Sequence, residues 1–282
     1  MRFGNKTIVF VLAGFAIISS CAPAPKVTKQ PAQLTVDTSA VAIDHIRAWV
    51  DRYSRNARSL NATGDITVDE GDESNSASFR IKSKRIGATG NRIDSLSIEV
   101  SGPFGITVAR LLASPERYQF HDVLHGQTLA GPTTSESLEA LTHLHGVTLG
   151  TMSDVLYGLP PSIPPSAAVL LYSGSENDHM LIIRDFTSYT TTYWKFEGTI
   201  PSDSTAGSFF LRSVERWNGI ADHVDHSVPP DIAIRFSDPV NIETIRVPKR
   251  IEVNAGENKL ELEYDRIELN SPALVVRIKM PE

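Results

Sequence analysis

The segment from Asp222 to His226 contains two aspartates and two histidines, which are common metal ligands. His223 and His226 are three residues apart, and a helix would place both imidazoles on one face as metal ligands. Pro229 and Pro230 follow at once, however, and no zinc-protease pattern is present. We therefore expect a polar loop and no metal site. A metal-dependent hydrolase built on the two histidines remains an alternative.

Other signatures of catalysis are missing from the sequence. There is no Gly-x-Ser-x-Gly nucleophile elbow and no glycine-rich phosphate loop. The chain has a single cysteine, so it can form neither an internal disulfide nor a redox pair. The net charge of -6 disfavours a nucleic-acid partner. We expect no catalytic residues, no enzymatic activity, no cofactor and no nucleic-acid partner.

The single cysteine, Cys21, follows an apolar segment near the amino terminus. Arg2 and Lys6 precede the run Thr7–Ile18, which is too short to cross a membrane comfortably and is typical of a signal-peptide core. The sequence Ile18-Ser19-Ser20-Cys21 resembles the bacterial lipobox, in which the cysteine becomes the acylated first residue. Acyl chains contribute about 0.8 kcal/mol per buried CH₂ and would anchor the protein to a bilayer. The alternative is an ordinary secretory signal with an incidental cysteine.

These features divide the chain into three parts. Residues 1–20 are predicted to be a lipoprotein signal peptide. Residues 21–40 contain three prolines and no hydrophobic pattern, which predicts a flexible tether. Residues 41–282 are predicted to form a single domain. Ala22, rather than aspartate, follows the cysteine, and by resemblance to enteric sorting rules this favours the outer membrane, facing the periplasm.

The elements of the domain are predicted from periodicity. Val41–Leu60 carries an apolar stripe at helical spacing, and Ser135–His145 and Thr151–Tyr157 are predicted to be two short central helices. Alternating segments predict strands at 62–68, 76–85, 92–100, 106–113, 116–123, 126–130, 167–173, 179–186, 190–197, 209–215, 232–236, 249–253, 260–269 and 274–280.

The order of these elements predicts the fold class. No strand–helix–strand alternation is present, and the short turns suit sequential antiparallel strands. We expect a mainly β protein of the α+β class. Its open antiparallel half-barrel would curl over one long amino-terminal helix and two short central helices. Such a sheet would leave an apolar cavity beneath the helices that suits acyl chains.

One loop between two predicted strands has unusual residues. Ser101–Thr107 contains two glycines and Pro103, with Phe104 beside Gly105 near its tip. An aromatic side chain at a loop tip either folds back over the edge of the core or projects outward to meet lipid or a partner.

Taken in order, these segments resemble the outer-membrane lipoprotein receptor LolB and its soluble relative LolA. Ser101–Gly105 lies where LolB has Pro-Leu-Gly, and Val155–Pro160 is similar to the family's Gly-Leu-Pro motif. Pro248–Val253 and Lys259–Leu262 resemble the family's closing hairpin. The resemblance implies a half-barrel that accepts lipoprotein acyl chains from a periplasmic LolA-like carrier and passes them to the outer membrane. It also implies that Pro103, Phe104 and Gly105 form a membrane-contact loop.

The sequence therefore predicts a monomeric, lipid-anchored protein that acts in lipoprotein localisation or lipid transfer. Its expected partners are membrane lipid, lipoprotein acyl chains and the carrier. The candidate lining of the acyl cavity, any member of which could instead be ordinary core, is Trp49, Val50, Tyr53, Leu111, Leu138, Leu141, Leu156 and Tyr157. The alternative function is a structural or assembly lipoprotein that binds a protein partner, for which a solidly packed core would be expected.

Overall fold

The structure is a computed structural model, and it describes most of the predicted domain. Several predicted features lie outside the described residues: the signal peptide, the tether with Cys21, the first central helix with Leu138 and Leu141, the Asp222–His226 cluster and the last strand. The described residues are 40–85, 93–134, 149–161, 163, 166–173, 177–199, 209–220 and 228–271.

The described residues form one antiparallel sheet of thirteen strands, which confirms the prediction of a mostly β protein with a large open sheet. The strands are β1 Ser59–Glu70, β2 Glu73–Arg85, β3 Ile93–Ser101, β4 Thr107–Ala113, β5 Arg117–Asp122, β6 Gln127–Pro132, β7 Ala168–Ser173, β8 Asp178–Asp185, β9 Thr190–Gly198, β10 Phe209–Asn218, β11 Ile232–Ile242, β12 Ile245–Ala255 and β13 Asn258–Leu269.

The order of the strands reveals two meanders joined at the middle of the sheet. Strands β1 to β6 follow one another outward in one direction, and β13 back to β7 follow one another in the other. The pairing of β1 with β13 joins the two halves, from Leu60 opposite Leu269 to Glu70 opposite Asn258. This seam contains a register shift at Gly64, where a Cβ would lie 1.9 Å from the carbonyl oxygen of Glu263. A glycine is needed there because the two backbones approach too closely for a side chain.

Two helices are described beside the sheet. α1 spans Ala40–Asn56, and α2 spans Leu149–Leu156. The long predicted helix therefore ends four residues early, because the chain from Ser59 onward is recruited into β1. The predicted start of the second central helix at Thr151 is two residues late. Within the described residues, no helix is long and apolar enough to cross a membrane.

The core lies between the helices and one face of the sheet. In β1, buried Leu60, Ala62, Ile66 and Val68 alternate with residues that are more exposed, as expected for a strand covered on one side. The same core cluster includes residues of both helices and of strands from both meanders. The helices therefore cover one face of the sheet. On the other face, buried Ile182, Tyr193 and Trp217 form a separate small apolar cluster.

Candidate functional site

The centre of α1 packs into an aromatic cluster beneath the sheet. The Trp49 ring lies 5.4 Å from that of Tyr53, 5.8 Å from Phe196 and 6.0 Å from Phe209, all edge to face. Trp49 is 5% exposed. Such pairs contribute about 0.5–1.5 kcal/mol beyond the burial of their area. This cluster fixes α1 against the end of β9 and the start of β10.

A group of buried polar contacts fixes α2. The Arg85 guanidinium, at the end of β2, donates to Asp154 Oδ1 of α2 at 2.6 Å, and both side chains are more than nine-tenths buried. The Tyr157 hydroxyl donates to the carbonyl oxygen of Ser83 at 3.2 Å. The Tyr264 hydroxyl donates to the carbonyl oxygen of Leu156 at 3.0 Å. We call this group the α2 clasp.

The α2 clasp also joins the two helices to each other. The Tyr53 hydroxyl of α1 donates to the carbonyl oxygen of Tyr157, which follows α2, at 2.7 Å. Gly158 then turns the chain with a φ of 71°, and a Cβ there would lie 2.3 Å from Pro248 Cδ. A glycine is required here because the left-handed backbone and the close approach to β12 both exclude a side chain. α1, α2 and the sheet therefore meet at one point.

Burial dominates the electrostatics of the clasp. Desolvation raises the pKa of Asp154 to about 7, although the Arg85 guanidinium opposes the rise through its charge and its hydrogen bond. Burial also raises the pKa of Tyr157 to about 12, and it raises the pKa of Tyr53 and Tyr264 further. The tyrosines are therefore neutral hydrogen-bond donors, while Asp154 changes charge near neutral pH.

A cavity of about 180 Å³ lies beside the clasp. Its walls come from α1, from the proline segment after α2 and from β8 and β9, and they include Ile46, Val50, Pro160, Pro161, Ile163, Leu181 and Trp194. Arg85 and Asp154 also line it, and Arg47 and Asp51 lie toward solvent. Ligand pockets are typically about 300–1,000 Å³. In this arrangement the cavity is too small for a long acyl chain.

The structure divides the predicted acyl-cavity residues into three groups. Val50 lines the cavity. Trp49, Tyr53, Leu111, Leu156 and Tyr157 are buried members of the packed core and are not part of the cavity lining. Leu138 and Leu141 lie outside the described residues. The acyl-binding role of all eight residues stays a prediction.

Sequence reasoning missed the polar residues of this region. Arg85 follows Phe79, Ile81 and Ser83 on the inward face of β2, and Asp154 is 69 residues away. The alternation of β2 could have indicated that Arg85 points inward, because positions two apart share a face. Nothing local indicated its partner. Arg85 Nη1, Asp154 Oδ2 and Trp194 Nε1 are buried without a hydrogen-bond partner among the described residues.

The loop between β3 and β4 is the second candidate region. Phe104 is 100% exposed, and Ile106 is 61% exposed. Hydrogen bonds close the loop, from the Gly102 amide to the carbonyl oxygen of Ile106 at 2.9 Å and from the Gly105 amide to that of Gly102 at 3.2 Å. Of the two predicted fates of Phe104, the structure shows the outward one.

Phe104 also has an unfavourable backbone conformation. Its φ is 64° and its ψ is 17°, a left-handed conformation in a short 3₁₀ turn formed by Pro103–Gly105. A residue other than glycine pays about 1–3 kcal/mol for such a backbone. Neither burial nor a packed partner offsets this cost, because the side chain lies in solvent. An aromatic residue held at this position points to a functional use of its exposed ring.

The described residues offer no metal centre. No group of three or more histidine, cysteine, aspartate or glutamate side chains is close enough to hold an ion in the part of the chain that the structure describes. His223 and His226 lie outside that part, so the hydrolase alternative stays a matter for direct metal analysis.

No protein-family model matches the chain, and no curated protein matches it. Among solved structures, a DUF1329 family protein from Desulfovibrio piger aligns with a TM-score of 0.54 at 11% identity, covering 84% of this chain and 95% of that one.

Two further structures align at lower scores. A LolA superfamily protein from Nitrosomonas europaea has a TM-score of 0.47 at 12% identity, covering 79% of this chain and 93% of that one. An outer membrane lipoprotein-sorting protein domain from Vibrio parahaemolyticus has a TM-score of 0.48 at 9% identity, covering 80% and 92%. The fold assignment rests on the Desulfovibrio piger structure, and this chain shares that protein's overall fold.

Proposed function

We propose that this protein is a lipid-anchored outer-membrane protein that faces the periplasm, binds acyl chains and acts in lipoprotein localisation or lipid transfer. The observation that carries the proposal is Phe104, a fully exposed aromatic ring held outward on a closed loop. A ring in that position can enter a bilayer without any rearrangement of the loop. The Ile18–Cys21 lipobox and the LolB-like order of segments support the same conclusion.

Acyl binding in the cavity beside the α2 clasp requires the helices to move away from the sheet. The cavity beside the α2 clasp would have to widen, because about 180 Å³ is too small for a long chain. Atoms of Arg85, Asp154 and Trp194 that have no hydrogen-bond partner among the described residues border this space. Each buried atom without a hydrogen bond costs about 1–3 kcal/mol. This cost lowers the free energy needed to move α1 and α2 away from the sheet.

The test is the lipid content of the full-length protein after gentle detergent extraction. We expect mass spectrometry to find acyl chains in excess of those attached to Cys21. Val50→Trp, which fills the cavity, should abolish the excess. Ala48→Trp is the matched control because Ala48 lies on the exposed face of the same helix. Depletion of the protein should leave lipoproteins away from the outer membrane.

The packed core favours a second candidate, a non-catalytic structural or assembly lipoprotein that binds a protein partner. Trp49, Tyr53, Leu111, Leu156 and Tyr157, which were predicted to line an acyl cavity, are instead buried members of the packed core. No excess acyl chains in either variant or in the wild type, with normal lipoprotein sorting after depletion, would contradict the first function and favour this alternative. Both candidates are non-enzymatic, and stoichiometric zinc in the purified protein would contradict both.

A further inference from the structure

Two neighbouring turns bring four exposed apolar side chains together. The Val123 amide donates to the carbonyl oxygen of Val108 at 3.0 Å, so the β5–β6 turn lies directly beside the loop that carries Phe104 and Ile106. Val123 is 40% exposed and Leu124 is 46% exposed. The Phe104 loop is therefore one part of a larger apolar surface.

A third apolar turn lies along the same edge of the sheet. β1 runs from Ser59 to Glu70, and every strand runs antiparallel to its neighbours in the sheet. The direction of each strand is therefore known, and with it the edge of the sheet on which each turn lies. The β8–β9 turn falls on the same edge as the β1–β2, β3–β4 and β5–β6 turns. It carries Phe186, which is 59% exposed, and Tyr189, which is 65% exposed.

The opposite edge of the sheet is different. The two turns of that edge that the structure describes in full are β4–β5, at Ser114–Glu116, and β11–β12, at Glu243–Thr244, and neither carries a large apolar side chain. Val228, between β10 and β11, joins the apolar edge with 54% exposure. Of the exposed large apolar residues in the described part of the chain, Leu129 alone lies within a strand. Among the described residues, the exposed large apolar side chains that lie in turns therefore occur on one edge of the sheet.

The charges along the apolar edge are also ordered. The three apolar turns contain no aspartate, glutamate, lysine or arginine. His125 lies in one of them, and its ring is hydrogen-bonded to Asp122 at 2.7 Å. Between the apolar turns in the strand order are the β1–β2 and β12–β13 turns, which carry Asp72 and Glu257. Uncharged apolar turns thus flank an acidic centre.

We infer that this edge, on both flanks of its acidic centre, rests on a bilayer rich in zwitterionic phospholipid. A protein interface has an apolar centre and a polar rim, and this edge has the reverse arrangement. A fluid bilayer receives separate apolar tips without needing one continuous patch. Tyr189 and Phe186 suit the headgroup boundary, where amphipathic and aromatic rings concentrate. Anionic lipid weakens the contact, because the acidic centre is repelled.

The inference rests on the proposed function in one respect, the acylation of Cys21 that holds the protein at a membrane. Residues 22–39 separate Cys21 from α1. Fully extended, these residues span about 60 Å at about 3.3–3.6 Å each, which allows any edge of the domain to reach the bilayer. The orientation is therefore set by the domain's own surface.

The experiment places an environment-sensitive fluorophore on a cysteine at four positions of the full-length protein, reconstituted in phosphatidylcholine–phosphatidylethanolamine vesicles. Leu124→Cys and Tyr189→Cys report the two flanks of the apolar edge. Glu116→Cys and Thr244→Cys are the matched controls on the opposite edge, and all four positions are exposed. We expect blue-shifted emission and quenching by lipid-borne quenchers at positions 124 and 189, with labels at 116 and 244 remaining in water.

Phosphatidylglycerol-rich vesicles provide the second readout. We expect less quenching at positions 124 and 189 on these vesicles, with recovery in high salt. A label at 189 that stays in water while the label at 124 shifts would overturn the inference and reduce the contact to one flank. Labels that all stay in water, or all shift, would also overturn it.

The mass of the amino-terminal peptide, measured on the same samples, reports the acylation of Cys21 separately. The lipid content of the protein reports acyl binding separately as well. Contact of the edge with the bilayer, without excess acyl chains, would therefore support the inferred orientation and contradict the proposed acyl binding. Failure of the inferred orientation can thus be distinguished from failure of the proposed function.

Discussion

Aromatic side chains are buried on the helix-covered face of the sheet and exposed at its apolar edge. On the inward side of α1, the Trp49 side chain contacts three aromatic rings and is 5% exposed. At the edge, Phe104 is fully exposed on a backbone that is costly for any residue but glycine. The stability of the fold explains why Trp49 is aromatic, but it does not explain why Phe104 is. The covered face therefore holds the fold together, whereas the edge is available to contact an external surface.

The largest loss of stability is expected when the enclosed Trp49 ring is truncated. Trp49→Ala should lower the free energy of unfolding by about 3–5 kcal/mol, because it removes a buried indole and leaves a cavity among rigid neighbours. Urea unfolding measures the change. Arg47→Ala, on the exposed side of the same helix, is the control and should change stability by less than about 0.5 kcal/mol. Equal effects of the two variants would show that α1 is not packed as described.

The second prediction concerns the buried pair of the α2 clasp. Arg85→Met should destabilise the protein by about 3–5 kcal/mol, because it leaves the Asp154 carboxyl buried without its cation. The double variant Arg85→Met/Asp154→Leu should recover most of this loss, since apolar residues of similar size replace the pair. Thermal unfolding of the three proteins measures both steps. A double variant no more stable than the single one would contradict the role assigned to the pair.

The pH dependence of stability sharpens the same point. The pKa of Asp154 rises from its usual 3.8 to about 7 in the folded protein, so between these values the native state binds a proton that the unfolded chain releases. Its contribution to stability is complete below about pH 4 and is lost as the pH rises through 7. The melting temperature of the wild type relative to Asp154→Asn should therefore fall across this range. Parallel melting curves at every pH would contradict it.

The smallest expected effect on stability lies at the exposed edge. Phe104→Asn should change the free energy of unfolding by less than about 0.5 kcal/mol or raise it, because asparagine tolerates the left-handed backbone and no packing is lost. The same variant should lose bilayer contact at the loop, measured by quenching of a label at Ile106→Cys. A large loss of stability would show that Phe104 serves the fold, and the contrast between the two regions would disappear.

The sequence predicted the strands well, because alternation survives wherever one face is covered. The strand predicted at 232–236 is shorter than β11, which continues to Ile242. The added part of the strand contains Pro239, which lies opposite Pro248 of β12, and the preceding Asp238 has a φ of 51°. This aspartate interrupts the apolar alternation of residues 232–236, so periodicity alone did not indicate the extension.

The candidate site was less predictable than the fold. Arg85 and Asp154 meet through folding alone, so no local pattern links two residues 69 positions apart. The exposure of Phe104 also depends on neighbouring turns, and its sequence left two fates open. The edge that gathers Leu124 and Tyr189 can be recognised only once the register of the whole sheet is known.

The meeting of β1 and β13 at the centre of the sheet has a consequence for how the molecule is made. The central partner of the first strand is the last described strand to leave the ribosome, so the amino-terminal meander must wait with one long side uncovered until residue 269 has been synthesised. A chain that stopped before Asn258 would lose the middle of its sheet instead of its margin, and the two meanders would have nothing to join them.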